Sequence, residues 1–184
     1  MTNGYKRFGL AVPPNINFPS IAYVKINQRS NISDHEIASL GFGYGLEASA
    51  IQLAMAFSVF ANDGVLKGFQ LVDEKNHSNP SQVISKHTAE LIMESLEQVI
   101  VDGTGSQAKH HLHSVAGKTG TSHKVSNGKY DKSKYISSFI GIGPLETKKY
   151  TILVTIDEPG LNRYSGGEVA APVFKEIFDD LVSL

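Results

Sequence analysis

The chain has 184 residues, of which 41% are hydrophobic and 19% charged, with a formal net charge of -1 and no cysteine. That is one domain, or a large piece of one, with enough apolar content for a real core. Near-neutrality gives no signal for nucleic acid or an anionic membrane surface, the lack of cysteine excludes disulfides and thiolate metal sites, and no apolar run is long enough to span a bilayer.

In chain order, no apolar signal core follows the first residues, Met1 to Arg7, so the chain as it stands carries no export address. Residues 1 to about 33 read as an irregular, surface-running connection punctuated by Pro13, Pro14, Asn15, Asn17 and Pro19, with a short strand over 21–26. A short helix is predicted over 34–40, capped by Ser33 or Asp34. Gly41, Gly43 and Gly45 alternate with Phe42 and Tyr44, a spacing that allows positive φ but is not a dinucleotide fingerprint. Tyr44 reads as structural.

Ser49 is the predicted cap of a helix over 50–61 that is apolar on all sides and therefore expected to be buried, with Gln52 hydrogen-bonded inside. Asn62-Asp63-Gly64 ends it. Residues 65–72 read as a strand pair or an extended excursion broken at Lys67-Gly68, and 73–80 as a polar loop. Ser85 caps a second helix, to about residue 101, with Ala89, Ile92, Met93, Leu96, Val99 and Ile100 on one face.

The remainder is strand-rich. Strands are predicted over 114–125, 135–143 and 150–156, with Asn127-Gly128 as a hairpin turn after the first. The third is a nearly continuous β-branched run, so it is expected to be central and buried. A last helix follows Gly166-Gly167. Pro172 fits its first turn, and Val169, Val173, Ile177 and Leu181 line one face beside Phe174 and Phe178. Three antiparallel strands with a returning helix make an α+β layer.

Within the first strand lies Ala116-Gly117-Lys118-Thr119-Gly120-Thr121. Lys-Thr-Gly is one of three motifs of the serine acyl-transfer enzymes that handle penicillins, the others being Ser-x-x-Lys and Ser-x-Asn. The order of elements around it is specific. A Gly-Tyr-Gly-Leu leads into a Ser-x-x-Gln-Leu-Ala helix stopped by Ala-Asn-Asp-Gly. An amphipathic helix ends in Gly-Thr-Gly. The Lys-Thr-Gly strand, a hairpin and a Val/Ile strand follow, then Tyr164-Ser-Gly-Gly and Ala-Pro-Val-Phe. From about Tyr5 to the last helix, the chain resembles the C-terminal part of the transpeptidase domain of class B penicillin-binding proteins, most closely the septal, cell-division type.

The resemblance implies part of a penicillin-binding, serine β-lactamase-like fold: an antiparallel sheet with the C-terminal helix packed on it, plus part of the helical subdomain. It implies a fragment of a peptidoglycan D,D-transpeptidase that needs no cofactor or metal and has no nucleic-acid partner. By resemblance, Lys118 attracts a carboxylate and helps protons move, and the Thr121 amide is one oxyanion donor. Thr119, Thr121, Gly117, Gly120, Tyr135, Tyr164, Gly166 and Gly167 belong to the substrate cleft. Gly117 and Gly120 are expected to leave room for a peptide or penicillin pairing with the strand edge. Tyr164 is expected as an aromatic wall.

In the family the nucleophilic Ser-x-x-Lys and the Ser-x-Asn lie upstream of the matched region. Ser-x-Asn does not occur here, and the Ser-x-x-Lys at Ser126 to Lys129 falls in a hairpin turn, where the two residues share no helix face. The chain is therefore expected to be inactive alone. Its implied partners are a stem peptide ending in D-Ala-D-Ala, β-lactams in the intact domain, the missing N-terminal half and divisome proteins. The family is anchored in the inner membrane with this domain in the periplasm. The competing readings are a non-catalytic peptide- or partner-binding module and half of a serine β-lactamase relative. Unpaired strand edges and an uncovered 50–61 helix point to self-association. His110, His111 and His113 read as a solvated loop, since no carboxylate is near in sequence. Lys124, Lys129, Lys132 and Lys134 read as a solvated basic hairpin.

Overall fold

The computed structural model describes residues 2–10, 12–14, 33–41, 43, 46–71, 79–126, 128–147 and 149–184. The expected strand over 21–26, the loop over 73–78, Tyr44 and the turn residue Asn127 lie outside the described residues. The chain divides into two compact units, Met1–Ile84 and Ser85–Leu184.

The first unit contains α1 (Thr2–Arg7), α2 (Asp34–Gly41), α3 (Ala50–Ala61), and a short antiparallel pair, β1 (Val65–Leu66) with β2 (Ser81–Gln82). The start of the chain is thus helical and not irregular. Tyr5 Oη donates to the Leu40 carbonyl at 2.8 Å, and the Arg7 guanidinium donates to the Val83 carbonyl, long-range contacts that no local propensity encodes. In α3, Ser49 and Gln52 form a reciprocal capping box, and Gln52 Nε2 donates to Val12 O at 3.1 Å. Gln52 is buried as expected, but only Ala56 and Val59 join it, and Leu53 is exposed. The apolar girth of α3 therefore exceeds what the described residues cover.

The second unit opens with α4 (Lys86–Val101), capped by Ser85 through a 3.1 Å bond from the Thr88 N–H. A single 3-10 turn (Ser106–Ala108) leads to β3 (Ala116–Ser126), β4 (Lys129–Gly143) and β5 (Tyr150–Asp157), and α5 (Gly166–Val182) returns across them. Strand order is β3-β4-β5, all antiparallel. The α+β expectation holds, but the central strand is β4. Among the described residues β5, the β-branched strand, pairs only with β4, and of its residues only Val154 is buried.

One face of the sheet carries Gly117, Thr119 and Thr121 of β3, opposite Gly141, Phe139 and Ser137 of β4. This face meets α5. A Cβ on Gly141 would overlap the Phe174 ring, and one on Gly143 would stand 3.0 Å from Phe178. The glycines thus form hollows that take the two rings. This selects the buried side of α5: Ala170, Ala171, Phe174 and Phe178 face inward, whereas Val173 and Ile177 are exposed, against the expected stripe. Because α5 begins at Gly166, Pro172 lies inside the helix and not in its first turn. Phe139, Phe174, Phe178, Ile100 and Val154 form the core. Ala116, Ile140 and Ile142 are buried on the opposite face, which they share with Lys118.

Candidate active site

The Lys-Thr-Gly stretch lies on β3, which pairs with β4 on one side only; among the described residues its other edge is open. Lys118, Gly120 and Thr121 are exposed and Thr119 is half-buried. Lys118 Nζ donates to the Thr119 carbonyl at 3.0 Å. Gly120 meets no atom closer than 3.8 Å where its Cβ would stand, so its missing side chain does leave open space beside the edge. Gly117 has a different reason for being glycine. It is buried, and a Cβ there would come within 2.6 Å of the Phe139 ring and 2.9 Å of the Ile140 carbonyl.

Gly166 and Gly167 are also buried and face inward, instead of lining a cleft. A side chain on Gly166 would overlap the carbonyls of Ser138 and Gly120, and one on Gly167 the carbonyl of Thr104. This close approach brings the start of α5 onto the strand: the Gly166 N–H donates to Thr121 Oγ1 at 3.0 Å. Since that oxygen accepts, the Thr121 hydroxyl proton stays free for an acceptor beyond the edge. Ser165 and Glu168 close the helix start as a capping box, and the serine's hydrogen bonds hold the Glu168 carboxyl below its usual range.

Thr104 is a site residue that sequence reasoning missed. Its Oγ1 lies 2.8 Å from Thr119 Oγ1. Gly103 and Gly105 flank it, each wedged where a Cβ would press on Val99, Ile100 or Phe139. The Gly-Thr-Gly spelling was the available signal, read only as a helix stop.

Tyr135 and Tyr164 come together. Their rings stack at 4.2 Å with 16° between planes, and Tyr164 is 39% exposed. The Ser137 hydroxyl, fully buried, donates to the Tyr164 carbonyl and fixes the loop that carries the ring.

The Ser126 to Lys129 pair sits at the hairpin tip, away from Lys118 along the same strand. A second Ser-x-x-Lys, Ser106 to Lys109, spans the 3-10 turn; both residues are exposed, and no hydrogen bond joins their side chains. Among the described residues no group of His, Cys, Asp or Glu is arranged to hold a metal.

Lys129, Lys132 and Lys134 are exposed, as expected of a solvated hairpin, and Lys124 is half-buried; Lys124 Nζ contacts Asp157 at 2.9 Å and Glu158 at 2.7 Å, and Lys134 reaches Glu158 at 3.4 Å. Hydrogen bonds from these lysines lower the Glu158 carboxyl. His110 is not solvated: it is buried, its Nδ1 accepts from the Leu112 and His113 N–H groups at 3.1 and 3.0 Å, and its Nε2 lies 3.4 Å from Asp179. Burial, first of all, holds the imidazole below its ordinary value. Asp179 opposes that shift, while His111, His113 and Lys175 add to it.

The sign of the resulting pH effect follows. The unfolded chain takes up this proton near the ordinary histidine value, and the folded chain only at lower pH. Stability present above about pH 6.5 is therefore lost as pH falls toward the folded value. Urea midpoints are expected to drop between about pH 7.5 and about pH 5.5. The slope should flatten in His110→Asn, whose Oδ1 accepts from the same two N–H groups. An unchanged slope would assign the effect to other groups.

A family model described as the penicillin binding protein transpeptidase domain matches residues 1–179. The probable peptidoglycan D,D-transpeptidase PenA of Neisseria flavescens is 34% identical over 185 residues, covering 100% of this chain and 46% of that protein. The peptidoglycan D,D-transpeptidase FtsI of Buchnera aphidicola is 32% identical, covering 98% of this chain and 32% of that protein. Among solved structures, the transpeptidase domain of Burkholderia pseudomallei penicillin-binding protein 3 superposes with a TM-score of 0.89 at 32% identity, over 99% of this chain and 56% of that one. The chain belongs to the penicillin-binding protein transpeptidase family, and it spans half or less of the length of these two curated relatives.

Proposed function

We propose that this chain supplies the substrate-binding strand of a septal-type peptidoglycan D,D-transpeptidase. The observation that carries this reading is the exposed β3 edge. It presents Lys118, Gly120 and Thr121 outward, with Thr119 and Thr121 held from behind by Thr104 and the start of α5. An extended peptide or a penicillin pairs with such an edge through main-chain hydrogen bonds. The Lys118 ammonium and the free Thr121 hydroxyl proton then meet its carboxylate, and the Thr121 amide polarises the carbonyl under attack. The Tyr135–Tyr164 pair walls the far end.

The attacking serine and its lysine come, in this reading, from a Ser-x-x-Lys region outside these residues. The serine attacks the D-Ala-D-Ala carbonyl, the terminal D-alanine leaves, and the acyl group passes to an amine of a neighbouring stem peptide. The domain works in the periplasm beside the divisome. The open edge of β5 and the exposed α3 side chains favour pairing with that region, or self-association in its absence.

The test uses fluorescent penicillin and intact-protein mass spectrometry. The 184-residue chain alone is expected to show no covalent adduct. Mixed with a polypeptide that supplies the Ser-x-x-Lys and Ser-x-Asn region, it should label, and Lys118→Ala should suppress the labelling. A stable adduct on the isolated chain would place a nucleophile here and overturn the assignment. Failure to label with both pieces folded would favour a non-catalytic binding module.

A further inference from the structure

Two hydroxyls of the substrate strand are held from behind, and both contacts lead to one feature, the glycine doublet that opens α5. The Gly166 N–H donates to Thr121 Oγ1 at 3.0 Å. Gly167 lies against the Thr104 carbonyl, which a Cβ there would overlap, and the Thr119 methyl stands 3.5 Å from where that Cβ would be. Thr104 Oγ1 in turn lies 2.8 Å from Thr119 Oγ1. The loop that carries Thr104 has little room to shift. A Cβ on Gly103 would meet the Val99 carbonyl at 2.7 Å, and one on Gly105 would meet Ile100 at 2.9 Å and Phe139 at 3.1 Å. The Gly105 N–H also donates to the Val99 carbonyl at 3.0 Å.

Threonine is branched at Cβ, so a packed methyl fixes where its hydroxyl oxygen stands. With the Thr119 methyl turned to Gly167, Oγ1 is left beside Thr104. Packing does not fix the proton. Each hydroxyl has one proton and two lone pairs, and the contact between them can form in two ways. If Thr119 donates, its proton points to Thr104 and only lone pairs face a ligand. If Thr104 donates, the Thr119 proton is released for an acceptor. A carboxylate accepts and cannot donate, so it is compatible with the second arrangement alone. A carboxamide has both N–H and C=O and fits either. At Thr121 the choice is already made, because its partner is an N–H that can only donate.

We propose, resting on the reading of β3 as the peptide-binding edge, that Thr104 is a positioning residue: its hydroxyl donates to Thr119 Oγ1 when a peptide is bound, and so turns the Thr119 proton toward the peptide's terminal carboxylate. Two donor chains then end side by side on that group, Thr104 O–H through Thr119 and Gly166 N–H through Thr121. Hydrogen bonds in series polarise one another, so each threonine proton is a stronger donor than a lone hydroxyl would supply. Thr104 itself does not touch the peptide. The glycine doublet keeps both chains in register with one helix start.

Two synthetic peptides ending in D-Ala-D-Ala test this, one with a free terminal carboxylate and the other amidated there. Binding to the isotope-labelled chain is followed by NMR through the Gly120 and Thr121 amides. Thr104→Val keeps the shape and removes the hydroxyl. It is expected to weaken the carboxylate peptide about fivefold and the amidated one by less than about twofold, a difference on the scale of one hydrogen bond. Thr104→Ser restores the donor and should bring the carboxylate peptide back to within about twofold of the parent. Thr119→Val should lose the same preference, and adding Thr104→Val to it should cost nothing more, since Thr104 acts through Thr119. Thr104→Ala, at this exposed position, repeats the test should the valine variant fold poorly. Equal weakening of both peptides would make the role merely structural and overturns the proposal. So does an undiminished preference, and either result leaves the strand reading intact while the strand amides respond. Silence at Gly120 and Thr121 with both peptides sinks the strand reading and the positioning role together.

Discussion

Gly166→Ala is expected to unfold at clearly lower urea than the parent chain, by about 2–4 kcal/mol, and to disturb the Lys-Thr-Gly strand at the same time. The added methyl would overlap two backbone carbonyls, Ser138 O and Gly120 O. Carbonyls within a paired sheet cannot swing aside as a side-chain tip can, so the start of α5 must move off β3. Overpacking of this kind costs about 1–3 kcal/mol. The displaced Gly166 N–H also leaves Thr121 Oγ1, which adds about 0.5–1.5 kcal/mol. In the NMR spectrum the Gly120 and Thr121 amides should shift even at low temperature, where the variant is folded. Gly160→Ala is the control: nothing lies within 4 Å of its missing Cβ and its φ is not in the left-handed region, so its midpoint should hardly move. If Gly166→Ala matches the control, close approach is not what positions Thr121.

The other large effect is expected at Phe139. This ring is fully buried, meets Phe174 edge-on at 4.9 Å, and lies directly beneath Gly117. Phe139→Ala removes a large apolar group from the middle of the core, between Phe174 and the close-packed backbone at Gly117 and Gly141, so the loss should be about 3–5 kcal/mol. Natural domains are stable by only about 5–15 kcal/mol, so a variant of this kind is expected to be partly unfolded at body temperature. Phe139→Leu should cost much less, because most of the volume stays. Chemical unfolding of the three proteins decides. A loss below about 1 kcal/mol for the alanine variant would mean that the floor under Gly117 lies elsewhere.

Both predictions concern glycines and rings that meet across long stretches of chain, and there the sequence was hardest to read. Local chemistry was legible. Ser49 and Ser85 cap the helices predicted from them, and Gln52 is buried and bonded, because a cap, a helical period and its single polar residue lie within a few positions of one another. The Lys-Thr-Gly strand and the hairpin after it were legible for the same reason. The order of strands was not. The β-branched run over 150–156 looks central by composition, yet among the described residues β5 pairs on one side only and β4 is the middle strand, because strand order depends on which segments pair and not on how apolar each one is.

Sequence alone therefore determined the family, the α+β class and the motif at which a substrate is expected to lie: these reside in residue identity and short-range spacing. Tertiary structure alone decided what holds that motif. Thr104 bonds to Thr119 from another loop, Gly166 reaches Thr121 from the start of the last helix, and Tyr164 stacks on Tyr135 from the loop before it. It also decided which side of α5 is buried. That helix has apolar residues on two adjoining stripes, and only the hollows at Gly141 and Gly143 give the Phe174 and Phe178 rings the better fit. Shape complementarity between distant segments is a property of the folded surface, and no periodicity within either segment carries it.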